Sequence, residues 1–443
     1  MLMKVILCFV LFLAGVVAGL VFNWPPVVAV AWGLILFALL GLSRGHSLRT
    51  MWAMAWKEGK KMMIVLRILT LIGIITGLWR VSGTIAYIIY YGLQFITPPL
   101  FILVAFLLPS LISYALGTSF GVVGTIGVIL MVLARSGGVS EIITAGAVLS
   151  GAYFGDRCSP ASSCASLVAA VTETELYANV RNMLKTGALP FAVSAAFYAV
   201  LSVRHPLQAT DDTLARSLAE AYRLSPWVLI PAVLMILLPL CRVPIRLAMG
   251  VSIAASAVTA LAVQQLSVGE IVRAALLGVA ADGTFLGGVM AGGGVISMIK
   301  SLLLVPVTGL FAGLLEGLGV LDGVHGAVER TAEKLGLFGA MTATTLLATM
   351  IFCNQSIAVM MGPSLLKDTY RRQGASAEEM AIDLENSGVV IAGLVPWSIA
   401  CSVPLDMLGV NAAALPYAAL LYATPLVYGL TKKWFYKREN LKK

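Results

Sequence analysis

Two polar islands interrupt an otherwise apolar chain, and their residue types are those that bind cations. The first joins GTSFGVVGTIG (117–127) to GDRCSPASSC (155–164), and offers Thr118, Ser119, Asp156, Ser159, Ser162 and Ser163. The second joins FCNQSIAVMMGPS (352–364) to LENSGVVIAGLVPWS (384–398), and offers Asn354, Gln355, Ser356, Glu385, Asn386, Ser387 and Ser398. Both contain Gly, which accepts unusual dihedrals, and Pro, which removes a backbone donor. A helix broken in this way frees carbonyls that coordinate Na+, and frees N–H groups at a positive helix end. Hydroxyl and amide oxygens add neutral ligands. Asp156 adds a full negative charge and is the candidate Na+ ligand, since an ionisable group inside a membrane is too costly to keep without a task.

Other polar residues carry less. Asp282, in VAADGTFLGG, lies in a similar Gly-rich break and is a further possible site residue. Glu316, with Asp322 and His325 beyond it, fits a solvated helix end, and Asp406, after Pro404, fits a loop. Arg157 follows Asp156 directly, but adjacent helical residues point about 100° apart, so no pair is implied. The run GGVMAGGGVISM (287–298) lacks the Lys-Ser/Thr of a phosphate-binding loop and fits close helix packing. Six cysteines without a C-x-x-C pair and three scattered histidines offer neither a metal cluster nor an enzyme's catalytic constellation. No cofactor is implied beyond Na+ and/or H+ as coupling ions, and the chain is not read as an enzyme.

The elements that must hold these islands are membrane helices. The chain is 59% hydrophobic and only 12% charged, about half the charge of a soluble domain. Apolar runs recur near 4–22, 26–42, 62–80, 98–116, 119–135, 140–157, 187–203, 226–240, 244–263, 268–281, 301–320, 336–352, 388–403 and 411–430. Lipid-facing backbone must satisfy its own hydrogen bonds, which selects helices here. The expected fold is all-α, a polytopic transmembrane helical bundle with two repeats, broken helices or re-entrant hairpins, and roughly eleven to thirteen membrane elements. An amphipathic stretch at 49–61 is expected in the interface, with Trp52 and Trp56 on its apolar side.

Charge placement sets the expected orientation. Six basic residues between Arg44 and Arg67 face one acid, Glu58, and the tail KKWFYKRENLKK has six bases and one acid. Both segments read as cytoplasmic by the positive-inside rule, which places both termini in the cytoplasm and the chain in a prokaryotic plasma (inner) membrane. The lipid bilayer explains the net charge of +9, and nucleic-acid binding has no support. The most polar connection, 204–225, separates an N-terminal membrane half (1–203) from a C-terminal half (226–430), followed by a basic tail (431–443). The halves share a register: Thr118/Asn354, Pro160/Pro396 and Ser162/Ser398 are each 236 residues apart.

SGAYFGDRCSPASS resembles the signature of the NhaC-type Na+/H+ antiporters, whose run is GAYFGDK-x-SP-x-SDTTNL. FCNQS, KDTYRRQG and LENSGVVIAGLVPWS resemble the family's second-half elements, the last written LEDSGTVTSPLIPWN. The resemblance runs from about residue 100 to the end. It implies secondary transport through inverted repeats, Na+ and H+ as the usual exchanged ions, and a possible homodimer. This chain departs from the pattern at Ser163 and Asn386, where the family has aspartates, and at Ile391, Ala392 and Ser398, where it has Thr, Ser and Asn.

Two functions follow. One is Na+/H+ antiport, with Asp156 as cation ligand and proton acceptor. The other is Na+- or H+-coupled transport of a small organic solute, an amino acid or carboxylate, in space vacated around Ser163, Cys164, Ala392 and Gly393. A channel would need a continuous polar stripe or ring of charges, and only clustered islands are present.

Overall fold

The structure, a computed structural model, describes residues 2–22, 24–95, 98–206, 212–241, 243–280, 290–320 and 325–436. Asp282 and the 437–443 part of the basic tail lie outside the described residues. The described helices are α1 (Leu2–Val21), α2 (Pro26–Ser43), α3 (Leu48–Gly59), α4 (Met63–Val81), α5 (Thr84–Phe95) and α6 (Phe101–Leu116). Next come α7 (Ser119–Ser136, with a π turn at Val123–Gly127), α8 (Glu141–Cys158), α9 (Ser163–Thr172), α10 (Leu176–Arg204) and α11 (Asp212–Ala221). The second half holds α12 (Ile230–Leu240), α13 (Ile245–Ala262), α14 (Val268–Leu277), α15 (Ile299–Gly317) and α16 (His325–Phe352). It closes with α17 (Gln355–Arg372), α18 (Ala377–Leu394, with a π turn at Glu385–Val389), α19 (Ile399–Leu408) and α20 (Ala419–Phe435).

Among the described residues, seven helices are long and apolar enough to cross a membrane, or eight if the bent pair α18–α19, at 51°, is one span. Four shorter apolar helices accompany them, at Lys4–Gly19, Phe101–Leu116, Ser163–Thr172 and Pro226–Pro239. The chain is therefore an all-helical integral membrane protein.

The register of 236 extends far beyond the three pairs visible in the sequence. It relates α4 to α15 at both ends, the end of α6 at Leu116 to the end of α16 at Phe352, and α7 to α17 at both ends. It also relates the starts of α8 and α18 and both ends of α9 and α19. Caps repeat as well: Ser140 accepts from the Ile143 amide as Ser376 does from the Glu379 amide, and Gly138 and Gly374 both have φ near +65°. Gly336, with φ 73°, breaks α16 one residue before the position where α6 begins in the first repeat.

The repeats run in opposite directions. Arg157 in α8 reaches Asn386 in α18, while Tyr153, one turn earlier in α8, packs on Gly393, two turns later in α18. These equivalent helices are thus antiparallel. The same holds for α4, which starts after Lys57, and α15, which ends there: Glu316 pairs with Lys57 and the Leu318 carbonyl accepts from Arg44. The basic segment around Arg44–Lys61 and Lys432 of α20 lie on one face, called the basic face below. The turn between α1 and α2 lies on the other, about 27 Å away along the 18 residues of α2.

Two architectural devices result. The pair α6–α7 is a helical hairpin that turns at Gly117 and Thr118. The pair α16–α17 is its inverted partner, turning at Cys353 and Asn354. The pairs α8–α9 and α18–α19 are each interrupted by four residues, and α18–α19 bends by 51°. Each has ten helical residues, about 15 Å, between its break and one face, which puts both breaks near the middle of a hydrocarbon core of about 30 Å.

The stretch at 49–61 forms α3, a helix, and its tryptophans lie on its exposed side. Trp52 and Trp56 stack on the exposed side, while Met51, Ala55, Glu58 and Gly59 pack on α15, where a Cβ on Gly313 would lie 2.7 Å from the Ala55 carbonyl. The tightest approach is in the first repeat. A Cβ on Gly155 would sit 2.0 Å from the Ser113 carbonyl carbon and 2.1 Å from the Tyr114 amide, both backbone. We expect Gly155→Ala to push α6 off α8 and cost at least about 1–3 kcal/mol. Gly250→Ala, which meets nothing within 4 Å, should leave stability unchanged or slightly improved. Thermal midpoints of the two variants in detergent check both statements.

Candidate functional site

The broken spans and hairpin tips meet in one layer, and the local sequence explains each break. In the first repeat α8 stops at Cys158, Ser159 turns to extended backbone, and Pro160 offers no donor. Ser162 then joins the two helix ends. Its hydroxyl accepts from the Cys164 and Ala165 amides at 3.0 and 3.2 Å and donates to the Asp156 carbonyl at 2.5 Å. Ser398 does the same in the second repeat, accepting from the Cys401 amide at 3.2 Å and donating to the Ala392 carbonyl at 2.8 Å.

The hairpin tips dock on these breaks. Gly117 is left-handed (φ 67°), and a Cβ on it would be 2.5 Å from the Ser162 amide. Its equivalent Cys353 is also left-handed (φ 56°), and its carbonyl accepts from the Ile399 amide at 2.9 Å. Thr118 and Asn354 cap the helices that follow: Thr118 Oγ1 accepts from the Gly121 amide at 3.3 Å, and Asn354 Oδ1 from the Ser356 amide at 2.9 Å.

Asp156 is buried in the first break, with the Ser119 hydroxyl donating to its carboxylate at 3.2 Å; the Ser162 oxygen lies 3.4 Å from Oδ1, with its proton directed to the Asp156 backbone carbonyl. Arg157 turns the other way and crosses to the second repeat. Its Nη2 donates to Asn386 Oδ1 at 2.5 Å, to Thr186 Oγ1 at 3.3 Å and to the Met183 carbonyl at 3.1 Å. Asn386 in turn donates to Thr186 at 3.3 Å. Glu385 is fully buried, both its carboxylate oxygens lack a hydrogen-bond partner among the described residues, and it lies in the field of Arg157 and Asp156. Two buried carboxylates and one buried guanidinium thus share a layer. A bare buried carboxylate costs several kcal/mol, so a cation or a proton must accompany it.

The remaining sequence candidates divide. Gln355 donates to the Val389 carbonyl at 2.7 Å, tying the second tip to the π turn of α18. Ser159 and Ser387 are buried but serve the backbone, at the Ala161 amide (3.1 Å) and the Asp383 carbonyl (2.6 Å). Ser163 and Ser356 are exposed on the first turns of α9 and α17 rather than turned toward Asp156, because the residue after a helix cap starts a new face. The space expected around Ala392 and Gly393 is filled: both are buried, and Tyr153 and Leu421 close on Gly393. Asp406 is helical, not a loop acid. It sits in α19 and accepts from the Ser301 hydroxyl at 2.7 Å. Glu316 is, as expected, an exposed helix-end acid, 3.0 Å from Lys57.

A second buried cluster escaped the sequence reading. Asp383 accepts from Tyr370 at 2.6 Å and Tyr428 at 2.8 Å and pairs with Lys432, which also meets Glu379 at 2.8 Å. In the sequence Lys432 belongs to the basic tail at 431–443, and nothing there marks it as a buried partner. Only the acid in AIDLENS, flanked by apolar residues, hinted at it.

A cavity of about 980 Å³ opens on the face opposite the basic one and reaches Pro396 and Trp397 of the second break. Asp156 does not line it, so the two breaks differ in their access to that face.

The chain is similar to known transport proteins along nearly its whole length. The malate-2H+/Na+-lactate antiporter of Bacillus subtilis is 30% identical over 461 residues, covering 100% of this chain and 97% of its own. The Na+/H+ antiporter NhaC of Alkalihalophilus pseudofirmus is 27% identical over 89% of this chain and 88% of its own. The solved YdaH transporter of Alcanivorax borkumensis is a distant likeness, covering 93% of this chain and 99% of its own at 14% identity and a TM-score of 0.45. The model of the Na+/H+ antiporter family matches residues 1–166 and 151–431, almost the whole length, and the chain belongs to that family.

Proposed function

We propose that the protein exchanges Na+ for H+ across a prokaryotic plasma membrane, with the basic face and both termini in the cytoplasm. The observation that carries this is the pair of buried carboxylates, Asp156 and Glu385, which have too few donors for their charge. Na+ and H+ each relieve the same deficit, so occupancy by one disfavours the other, and that competition is the basis of antiport. Na+ is hard and takes oxygen ligands. Asp156, with the Ser119 hydroxyl beside it, supplies them at a break where helix ends meet. Among the described residues Arg157 binds no carboxylate directly, and it is held by Asn386 and Thr186. It fixes the two broken spans relative to each other and offsets part of the negative charge. Orientation follows from the clustered bases near Arg44 to Lys61. A homodimer is retained from the family resemblance alone.

Purified protein in liposomes with an internal pH dye, pulsed with Na+, Li+ or K+, tests the exchange. Na+ pulses should drive proton movement, Asp156→Asn should lower it at least tenfold, and Glu316→Gln at the exposed Lys57 pair should stay within twofold of wild type. Silence of the wild-type protein to every cation would overturn the reading. The arginine bridge has its own check. Asn386→Leu removes the acceptor of a buried guanidinium, at a cost of about 2–3 kcal/mol. Asn386→Asp, which offers a charged acceptor in the same shape, should hold the wild-type thermal midpoint, while the leucine variant falls several degrees below it.

A further inference from the structure

The vestibule on the face opposite the basic one contains charge that cation exchange at Asp156 does not use. Its ionisable lining comprises Arg80, Arg135, Glu141, Lys300 and Asp406. Arg135 and Glu141 satisfy each other through two bonds, at 3.1 and 2.5 Å. Asp406 has the Ser301 hydroxyl and lies in the field of Lys300. Arg80, in the last turn of α4, is left over. It is 6% exposed, its Nη1 donates to the Thr76 carbonyl at 2.7 Å, and its Nε has no partner. Among the described residues no carboxylate pairs with it.

A guanidinium is always charged and carries five N–H donors, so holding it nine-tenths buried with one hydrogen bond is expensive. The partner that the described residues do not supply is an anion. Arg's planar fork fits a carboxylate with two parallel bonds. Space exists beside it: the neighbouring Gly292 has no side chain, and even an added Cβ there would stay 3.7 Å from Nη2. The volume, about 980 Å³, lies in the range of organic-ligand pockets rather than of single-ion sites. Trp24 and Trp397 supply apolar wall for a carbon skeleton, and Trp397 is the residue before the Ser398 cap. A cation would meet Arg80 unfavourably, so this site is distinct from the Asp156 centre in location and in the sign of its ligand.

We propose that the vestibule is a docking site for a small organic carboxylate, held at Arg80 next to the second helix break. The site goes beyond Na+/H+ exchange and does not require it.

Binding is measured by calorimetry on the full chain in nanodiscs, with N-methylglucamine salts of acetate, lactate and succinate at constant ionic strength. Chloride, phosphate and glucose serve as comparators. At least one carboxylate should bind saturably. Arg80→Gln should weaken it at least tenfold, and Arg80→Lys, which keeps the charge but loses the fork, at least fivefold. The lysine variant covers the case in which the glutamine variant does not fold. No saturable carboxylate binding to the wild-type protein would overturn the proposal. So would equal affinity for chloride or phosphate, or unchanged binding in the lysine variant. Cation-driven proton movement in liposomes is read separately: exchange without carboxylate binding refutes only this site, and carboxylate binding without exchange refutes only the antiport reading.

Discussion

A helix interrupted inside an apolar layer leaves amides and carbonyls that neither water nor lipid will satisfy. The architecture described above rests on meeting that requirement twice. One serine hydroxyl per repeat accepts from the restarting helix and donates to the ending one, at Ser162 and at Ser398. The tip of a hairpin then covers each break, with Gly117 against the Ser162 amide and the Cys353 carbonyl on the Ile399 amide. Without these contacts a break would be a defect. With them it is a place where polar groups can be kept at mid-depth, and Asp156 and Glu385 stand there.

The same layer explains why neutral replacements are tolerated where the resemblance led one to expect acids. Asn386 is engaged by Arg157 from the opposite repeat, so its amide serves as an acceptor for a buried cation and a donor to Thr186. Ser163 lies on an exposed turn and has no such duty. The number of acids is thus less informative than which of them remain without partners.

Much of the plan was legible in the chain. Gly, Pro and hydroxyl residues at matched intervals marked both breaks, and the interval of 236 survived as a register of helix ends. Other elements were invisible to apolar runs for a physical reason. Such runs report contact with lipid, whereas α17 (QSIAVMMGPSLLKDTYRR) and the start of α18 pack against protein and reach an aqueous face, so they can be polar. Pro404 suggested a loop around Asp406, but a proline in the middle of a ten-residue helix is accommodated where neighbouring helices support the backbone. Asn386 lies 229 residues from Arg157, Tyr428 lies 45 from Asp383, and Lys432 lies 49 from Asp383, so no local pattern encodes these pairs.

The two repeats match in register but not in shape. The first places its π turn in the hairpin arm, at Val123–Gly127, where the second has regular helix at 359–363. The second places its π turn in the broken span, at Glu385–Val389, where the first has regular helix at 149–153. The cavity likewise reaches only the second break. Because the repeats are inverted, each half is a template for the other. If the first half took the geometry of the second, and the second that of the first, the opening would move to the first break and face the basic side. One asymmetric conformation thus specifies its own mirror state, and two interchangeable shapes of a single motif are enough to define both ends of a transport cycle.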